Sequence, residues 1–137
     1  NGKPAEERKL ASQLSLPMNG AGSAVAPVNV HVLEELIGND PEMIEEMLLD
    51  FRTSAEKIAT ELHAAYRAGQ FAVVGLLAHK LKSSARSIGA LALGELCADM
   101  EQAGKKNDTE VLTVLLPLFD AQLVNVKNYL DTLYAKE

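Results

Sequence analysis

One histidine in the middle of the chain lies in a pattern that could perform nucleophilic chemistry. At about 100° per residue, His79 falls on the helix side opposite to the apolar residues around it. Gly75 lies four residues before it and Ser83 four residues after it, so its neighbours on the helix surface are small. The sequence therefore predicts an imidazole that faces away from the core. The predicted core stripe comprises Val74, Leu77, Leu81, Ser84, Ala85 and Ile88.

The charges around this histidine are of one sign, although the chain as a whole carries a net charge of −6. No Asp or Glu occurs between Glu61 and Glu95. A basic patch in an acidic protein favours an anionic ligand or an acidic partner, and a solvated run of charges is the alternative. The cations in this span are Arg67, Lys80, Lys82 and Arg86.

Together these residues could accept a phosphoryl group. Neutral imidazole is a competent nucleophile near pH 7, since the reference pKa of histidine is about 6.5. It can attack an acyl phosphate and hold the phosphoryl group as a phosphoramidate. Lys82, one turn after His79, can contact the phosphate oxygens, and Arg86 is placed to meet a partner's acidic surface. Gly75 has two open explanations: clearance for a partner at the histidine, or close approach of a neighbouring helix.

The elements that position these residues are helical. No segment alternates with the period of a strand, and aromatic residues make up only 4% of the chain. Four substantial helices with short connections predict an all-α, antiparallel up-down-up-down four-helix bundle with an additional short N-terminal helix. Pro117 predicts a kink or a broken first turn in the last helix. The predicted ranges are 30–37, about 41–68, about 71–87 and about 91–103 with Gly104 as its stop. A last helix follows, capped by Asn107 or Asp108, with an apolar stripe from Leu112 to Leu133.

Composition bounds the remaining possibilities. The negative net charge argues against a nucleic acid partner, and no apolar run approaches the roughly 18 residues that a membrane span requires. The single Cys97 excludes an internal disulfide and is compatible with a reducing cytosol. Residues 1–27 are predicted to be a linker or tail, with at most a short helix around Glu6 to Leu14. We expect one helical domain over residues 28–137 and a further domain attached before the linker.

A longer motif adds a resemblance to a known family. The run from His79 to Ala90, HKLKSSARSIGA, resembles the signature of histidine-containing phosphotransfer (HPt) domains of multistep phosphorelays. The resemblance extends from about Leu33 to Leu130. Ser83 departs from the pattern, because the family most often has Gly at this place. The matching residues after the histidine are Leu81, Lys82, Ser83, Ser84, Ile88 and Gly89.

The resemblance implies that His79 accepts a phosphoryl group on Nε2 from a receiver-domain aspartate and passes it to another receiver. Lys82 would contact the phosphate, and Glu101 would orient the imidazole, although a solvated residue on the helix face is the alternative for Glu101. The implied partners are receiver domains, which bring the Mg²⁺ themselves, so we expect no cofactor and no metal site in this chain. The residues expected to contact the partner are Gly75, Lys80, Ser83 and Arg86.

Two other functions remain open at this point. A non-phosphorylated adaptor could bind receiver domains through the same basic face. A dimerising, autophosphorylating kinase domain also carries a helical histidine, but it usually has an acidic residue next to it, where this chain has Lys80. The chain has no Gly-rich phosphate loop, so we expect no ATP-dependent kinase activity. We expect a cytoplasmic monomer from a hybrid sensor histidine kinase, and ordinary surface positions for His31 and His63.

Overall fold

A computed structural model describes residues 26–134 of the chain. Within this range the secondary structure is entirely helical. The connections between successive helices are only three residues long, which makes neighbouring helices antiparallel. The predicted helix around Glu6 to Leu14 lies outside the described residues. The helices are α1 (Val30–Ile37), α2 (Pro41–Arg67), α3 (Phe71–Ser87), α4 (Leu91–Lys105) and α5 (Thr109–Leu133).

Side-chain capping explains where α1, α2 and α5 begin. The Asn29 side chain accepts a hydrogen bond from the backbone N–H of His31. Asp40 caps α2 by accepting from the N–H groups of residues 42 and 43, and Asp108 caps α5 by accepting from Val111 N–H. The turn after α3 needs Gly89, which has a φ of 85° and would place a Cβ against the Asn29 backbone. This contact ties the start of α1 to the α3–α4 turn.

Helices α2 to α5 close into a ring around one apolar core. Cross-helix ion pairs join Arg52 to Asp131 and Lys127 to Glu56, so residue numbers rise along α2 as they fall along α5. The predicted antiparallel four-helix bundle with a short N-terminal helix is therefore confirmed. Cys97 is buried as expected, and burial raises the pKa of its thiol to about 12. Fully buried core residues include Leu33, Leu48, Leu62, Leu81, Leu93, Met100, Leu112, Phe119 and Leu130.

Two local predictions were wrong, as was one part of a third. Ser84, placed in the core stripe, is exposed, because the buried face of α3 runs through Ala78 and Ala85 instead. Gly104 does not end α4, which continues to Lys105. The predicted broken first turn is absent, because α5 runs as one helix from Thr109 through the exposed Pro117, while the predicted kink stays a prediction.

Helix α5 is also long and apolar enough, by length and composition, to cross a membrane. In this fold it contributes one face to the bundle core. A core helix of a bundle meets the same criteria of length and apolarity, and we assign α5 that place. Its buried residues are Leu112, Leu115, Leu116, Phe119, Leu123, Val126 and Leu130.

Candidate functional site

His79 projects from the outer face of α3, as the sequence predicts. Its side chain is 58% exposed, while Ala78 and Leu81 on the opposite face are fully buried. The ring is nevertheless held: its Nδ1 lies 2.9 Å from Oε2 of Glu101 on α4. The structure thus brings together two of the predicted site residues from adjacent antiparallel helices.

Glu101 is the only charged residue in the buried class among residues 26–134. Its side chain is 8% exposed, so the alternative of a solvated helix-face residue is wrong. Lys82 donates to Oε1 at 2.7 Å, and Lys105 Nζ lies 3.4 Å from Oε2. The Lys82 hydrogen bond, opposed by burial and aided by the His79 contact, lowers the pKa of the Glu101 carboxyl to about 2.

This carboxylate sets the tautomer of the ring. At neutral pH Glu101 is ionised and can only accept hydrogen bonds, so Nδ1 of His79 is the nitrogen that donates. In the neutral imidazole the Nε2 lone pair is then free. Because more than half of the His79 side chain is exposed, this lone pair is open to an electrophile from outside.

Gly75 is buried between helices and does not lie on the partner surface where it was expected. It is buried against α4, where a Cβ would lie 3.1 Å from the Glu101 carbonyl oxygen and 3.4 Å from the Gly104 Cα. The prediction that Gly75 contacts a partner is therefore wrong. The alternative explanation, a close approach of α3 to α4, is the one that the structure shows. Lys80, Ser83 and Arg86 are exposed on the surface beside His79.

Two residues at this site were not predicted from the sequence. Lys105 is the second lysine on Glu101, and its spacing of four residues from Glu101 was the available signal. Leu76, three residues before His79, is 67% exposed. Its signal was an apolar residue lying outside the predicted core stripe. The exposed leucine beside the exposed imidazole makes part of this surface apolar, in addition to its positive charges.

The other two histidines differ from each other. His31 is exposed and lies 3.0 Å from Glu34, as a surface residue should. His63 is only 32% exposed and its Nε2 lies 2.7 Å from Oδ1 of Asp120, at a groove of about 720 Å³ between α2 and α5. The expectation of an ordinary surface position is wrong for His63. Over the described part of the chain, no group of three or more His, Cys, Asp or Glu side chains could hold a metal ion.

Comparison with known proteins gives the family. The family model of the Hpt domain matches residues 46–134, which is more than half of the chain. A crystal structure of histidine-containing phosphotransfer protein B (HptB) from Pseudomonas aeruginosa PAO1 has the same fold, with a TM-score of 0.73 and 20% identity. That match covers 80% of this chain and 95% of the other. None of the curated proteins matches the chain. The chain belongs to the Hpt domain family, whose members interact with receiver domains, and its function is histidine phosphotransfer in a phosphorelay.

Proposed function

We propose that His79 is the phosphoacceptor of this domain and that its Nε2 carries the phosphoryl group. The observation behind this assignment is the buried, ionised Glu101, which engages Nδ1 of a ring whose side chain is 58% exposed and so leaves Nε2 to accept the group. Neither His31 nor His63 combines an exposed ring with a buried carboxylate. The chemistry needs both features, because the ring must be reachable and must keep one nitrogen unprotonated.

The transfer is an in-line displacement. The Nε2 lone pair attacks the phosphorus of a receiver's aspartyl phosphate, an N–P bond forms, and the P–O bond breaks with its electron pair passing to the aspartate carboxylate. The imidazole ring becomes cationic, and the Glu101 carboxylate at Nδ1 stabilises that charge. Lys82 and Lys105 border the same carboxylate, and Lys82 neutralises charge on the phosphoryl oxygens. The reverse reaction delivers the group to a second receiver.

The partner surface combines apolar contact with positive charge. Leu76 and His79 form its centre, and Lys80, Ser83 and Arg86 lie C-terminal to them on α3. The lysine and arginine complement the acidic cluster of a receiver domain. Arg86 can turn to such a partner, because the ion pair that its guanidinium makes with Glu95 is long, at 3.9 Å, and exposed. Ser83 is small enough to let a partner backbone approach.

We also infer the setting in which the domain works. It acts as a monomer without a cofactor of its own, and the Mg²⁺ of the reaction belongs to the receiver. The receivers are those of response regulators or of a parent hybrid sensor kinase, and the domain works in the cytoplasm, free or tethered to a membrane sensor. The acidic net charge of −6 supports a protein partner over a nucleic acid.

A transfer assay tests the assignment. A ³²P-labelled receiver domain is incubated with wild type, His79→Gln and His63→Gln, and the label on the chain is followed over time. We expect acid-labile, alkali-stable label on wild type and on His63→Gln within about twofold of wild-type rate, and no label on His79→Gln. Equal labelling of His79→Gln and wild type would exclude His79. A wild-type chain that binds the receiver without taking label would instead be an adaptor.

A further inference from the structure

Helices α3 and α4 touch backbone to backbone beside the histidine site. A Cβ placed on Gly104 would lie only 2.7 Å from the N and Cα atoms of Gly75 and from the carbonyl oxygen of Phe71. Real Cβ contacts essentially never fall below 3.0 Å. All three atoms belong to the backbone, so they cannot swing aside as the end of a side chain can. We call this approach of Gly75 and Gly104 the glycine contact.

The glycine contact lies one helical turn from the ring and its carboxylate. Gly75 precedes His79 by four residues on α3, and Gly104 follows Glu101 by three residues on α4. Gly75 also packs directly on the Glu101 carbonyl oxygen, at 3.1 Å from the position of an added Cβ. The separation of the two helices at this point therefore sets how far the Glu101 side chain must reach to meet Nδ1.

The hydrogen bond between His79 and Glu101 depends on this separation and tolerates only a small increase in it. Nδ1 and Oε2 are 2.9 Å apart, and hydrogen bonds of this type are lost beyond about 3.5 Å. Glu101 cannot move freely toward the ring, because Lys82 holds its other oxygen at 2.7 Å. Moving α4 outward by several tenths of an ångström, as an alanine at position 104 requires, would strain or break the ring contact.

We propose that Gly75 and Gly104 are positioning residues for phosphotransfer. They bring α3 and α4 close enough for Glu101 to hold the Nδ1–H tautomer of His79. The inference rests on the proposed role of His79 and adds a determinant that touches neither the phosphoryl group nor the ring. Helix packing alone would be a structural role, so the test must read the ring itself.

The experiment compares Gly104→Ala with Gly94→Ala, a glycine-to-alanine change in the same helix. At Gly94 an added Cβ meets only the flexible Arg86 side chain, at 3.0 Å, so the helix backbone can stay in place. Long-range ¹H–¹⁵N NMR at neutral pH reports the His79 tautomer without any partner. We expect the Nδ1–H form in wild type and Gly94→Ala, and a clear Nε2–H population in Gly104→Ala.

The transfer rate gives the second readout. We expect about 10- to 100-fold slower labelling of Gly104→Ala. Gly94→Ala is the control for the tautomer alone, because its added Cβ meets Arg86 of the proposed partner surface. In a Glu101→Ala background, Gly104→Ala should cause no further loss, because the contact it disturbs is already absent. Full additivity of the two losses would overturn the inference and leave a packing role only.

Folding is checked by circular dichroism before either readout. If Gly104→Ala does not fold, Gly75→Ala takes its place, since its added Cβ meets the Glu101 carbonyl oxygen at the milder distance of 3.1 Å. A wild-type tautomer in a folded variant whose label still depends on His79 overturns this inference alone. Label that does not depend on His79 overturns the proposed function, whatever the tautomer.

Discussion

Residues 26–134 contain two cross-helix histidine–carboxylate pairs of similar length, in which opposite partners are the more buried. In the α3–α4 pair, the His79 ring is mostly exposed and the Glu101 carboxylate is buried. In the α2–α5 pair, the His63 ring is the less exposed partner and the Asp120 carboxylate is nearly half exposed. The nitrogen engaged also differs, since His79 is held at Nδ1 and His63 at Nε2.

The surroundings of the two carboxylates differ as well. Glu101 is bordered by Lys82 and Lys105 on helices that touch through glycines. Asp120 makes no second ion pair among the described residues, and it lines a groove between α2 and α5. A histidine–carboxylate pair is therefore insufficient to identify a phosphoacceptor. What distinguishes the proposed active pair is an exposed ring on a buried, charge-compensated carboxylate.

The largest difference between the two pairs should appear in the transfer rate when the carboxylate of each is removed in turn. Glu101→Ala frees the His79 ring to rotate and to change tautomer, so we expect about 10- to 100-fold slower transfer from a phosphorylated receiver. Asp120→Ala should leave the rate within about twofold of wild type. The rates are measured under single-turnover conditions with labelled receiver. Equal losses in the two variants would show that the α2–α5 pair also takes part.

Removing one lysine near each pair should give a smaller difference in transfer rate. Lys82→Met removes the cation proposed to contact the phosphoryl group while keeping much of the side-chain volume, and we expect about tenfold slower transfer. Lys127→Met, which breaks an α2–α5 ion pair with Glu56, is the matched control and should change the rate by less than about twofold. A Lys82→Met variant with wild-type rate would restrict that lysine to fixing Glu101.

Acid should remove the contribution of Glu101 to stability. Its folded-state pKa is lowered from the ordinary 4.5 to about 2, so the charged form stabilises the fold above pH 4.5. This stabilisation is lost progressively as the pH falls from about 4.5 to 2. Urea unfolding of wild type and Glu101→Gln measures it. The difference in free energy of unfolding should shrink over this range, and a constant difference would contradict the lowered pKa.

The smallest expected effect concerns the stability contribution of the second pair. Because Asp120 is nearly half exposed, we expect Asp120→Ala to lower the free energy of unfolding by less than about 1 kcal/mol. Urea denaturation at neutral pH measures this change. A decrease of several kcal/mol in the free energy of unfolding would mean that the His63–Asp120 pair is a main stabilising contact between α2 and α5.

The helices could be predicted from sequence because their signals are local. Asn29, Asp40 and Asp108 are capping residues whose partners lie two or three residues away. The outward direction of His79 follows from helical periodicity in the same way. The family motif supplied the role of Glu101, and the structure adds that its side chain reaches the ring.

The missed features depend on distant contacts. A glycine near a predicted helix end can be a stop or a packing contact, and only the approach of Gly75 to Gly104 decides between them. The His63–Asp120 pair joins residues 57 positions apart. Its formation depends on the relative register of α2 and α5, which no local pattern contains.

On the proposed assignment, Nε2 of His79, whose Nδ1 is held by Glu101, carries the phosphoryl group. The most direct measurement is ³¹P and ¹⁵N NMR of the ¹⁵N-labelled chain after phosphorylation by a receiver domain. We predict a single phosphoramidate on Nε2 of His79, with the proton on Nδ1 retained. Phosphorylation of Nδ1, or of His63, would exclude Nε2 of His79 as the acceptor.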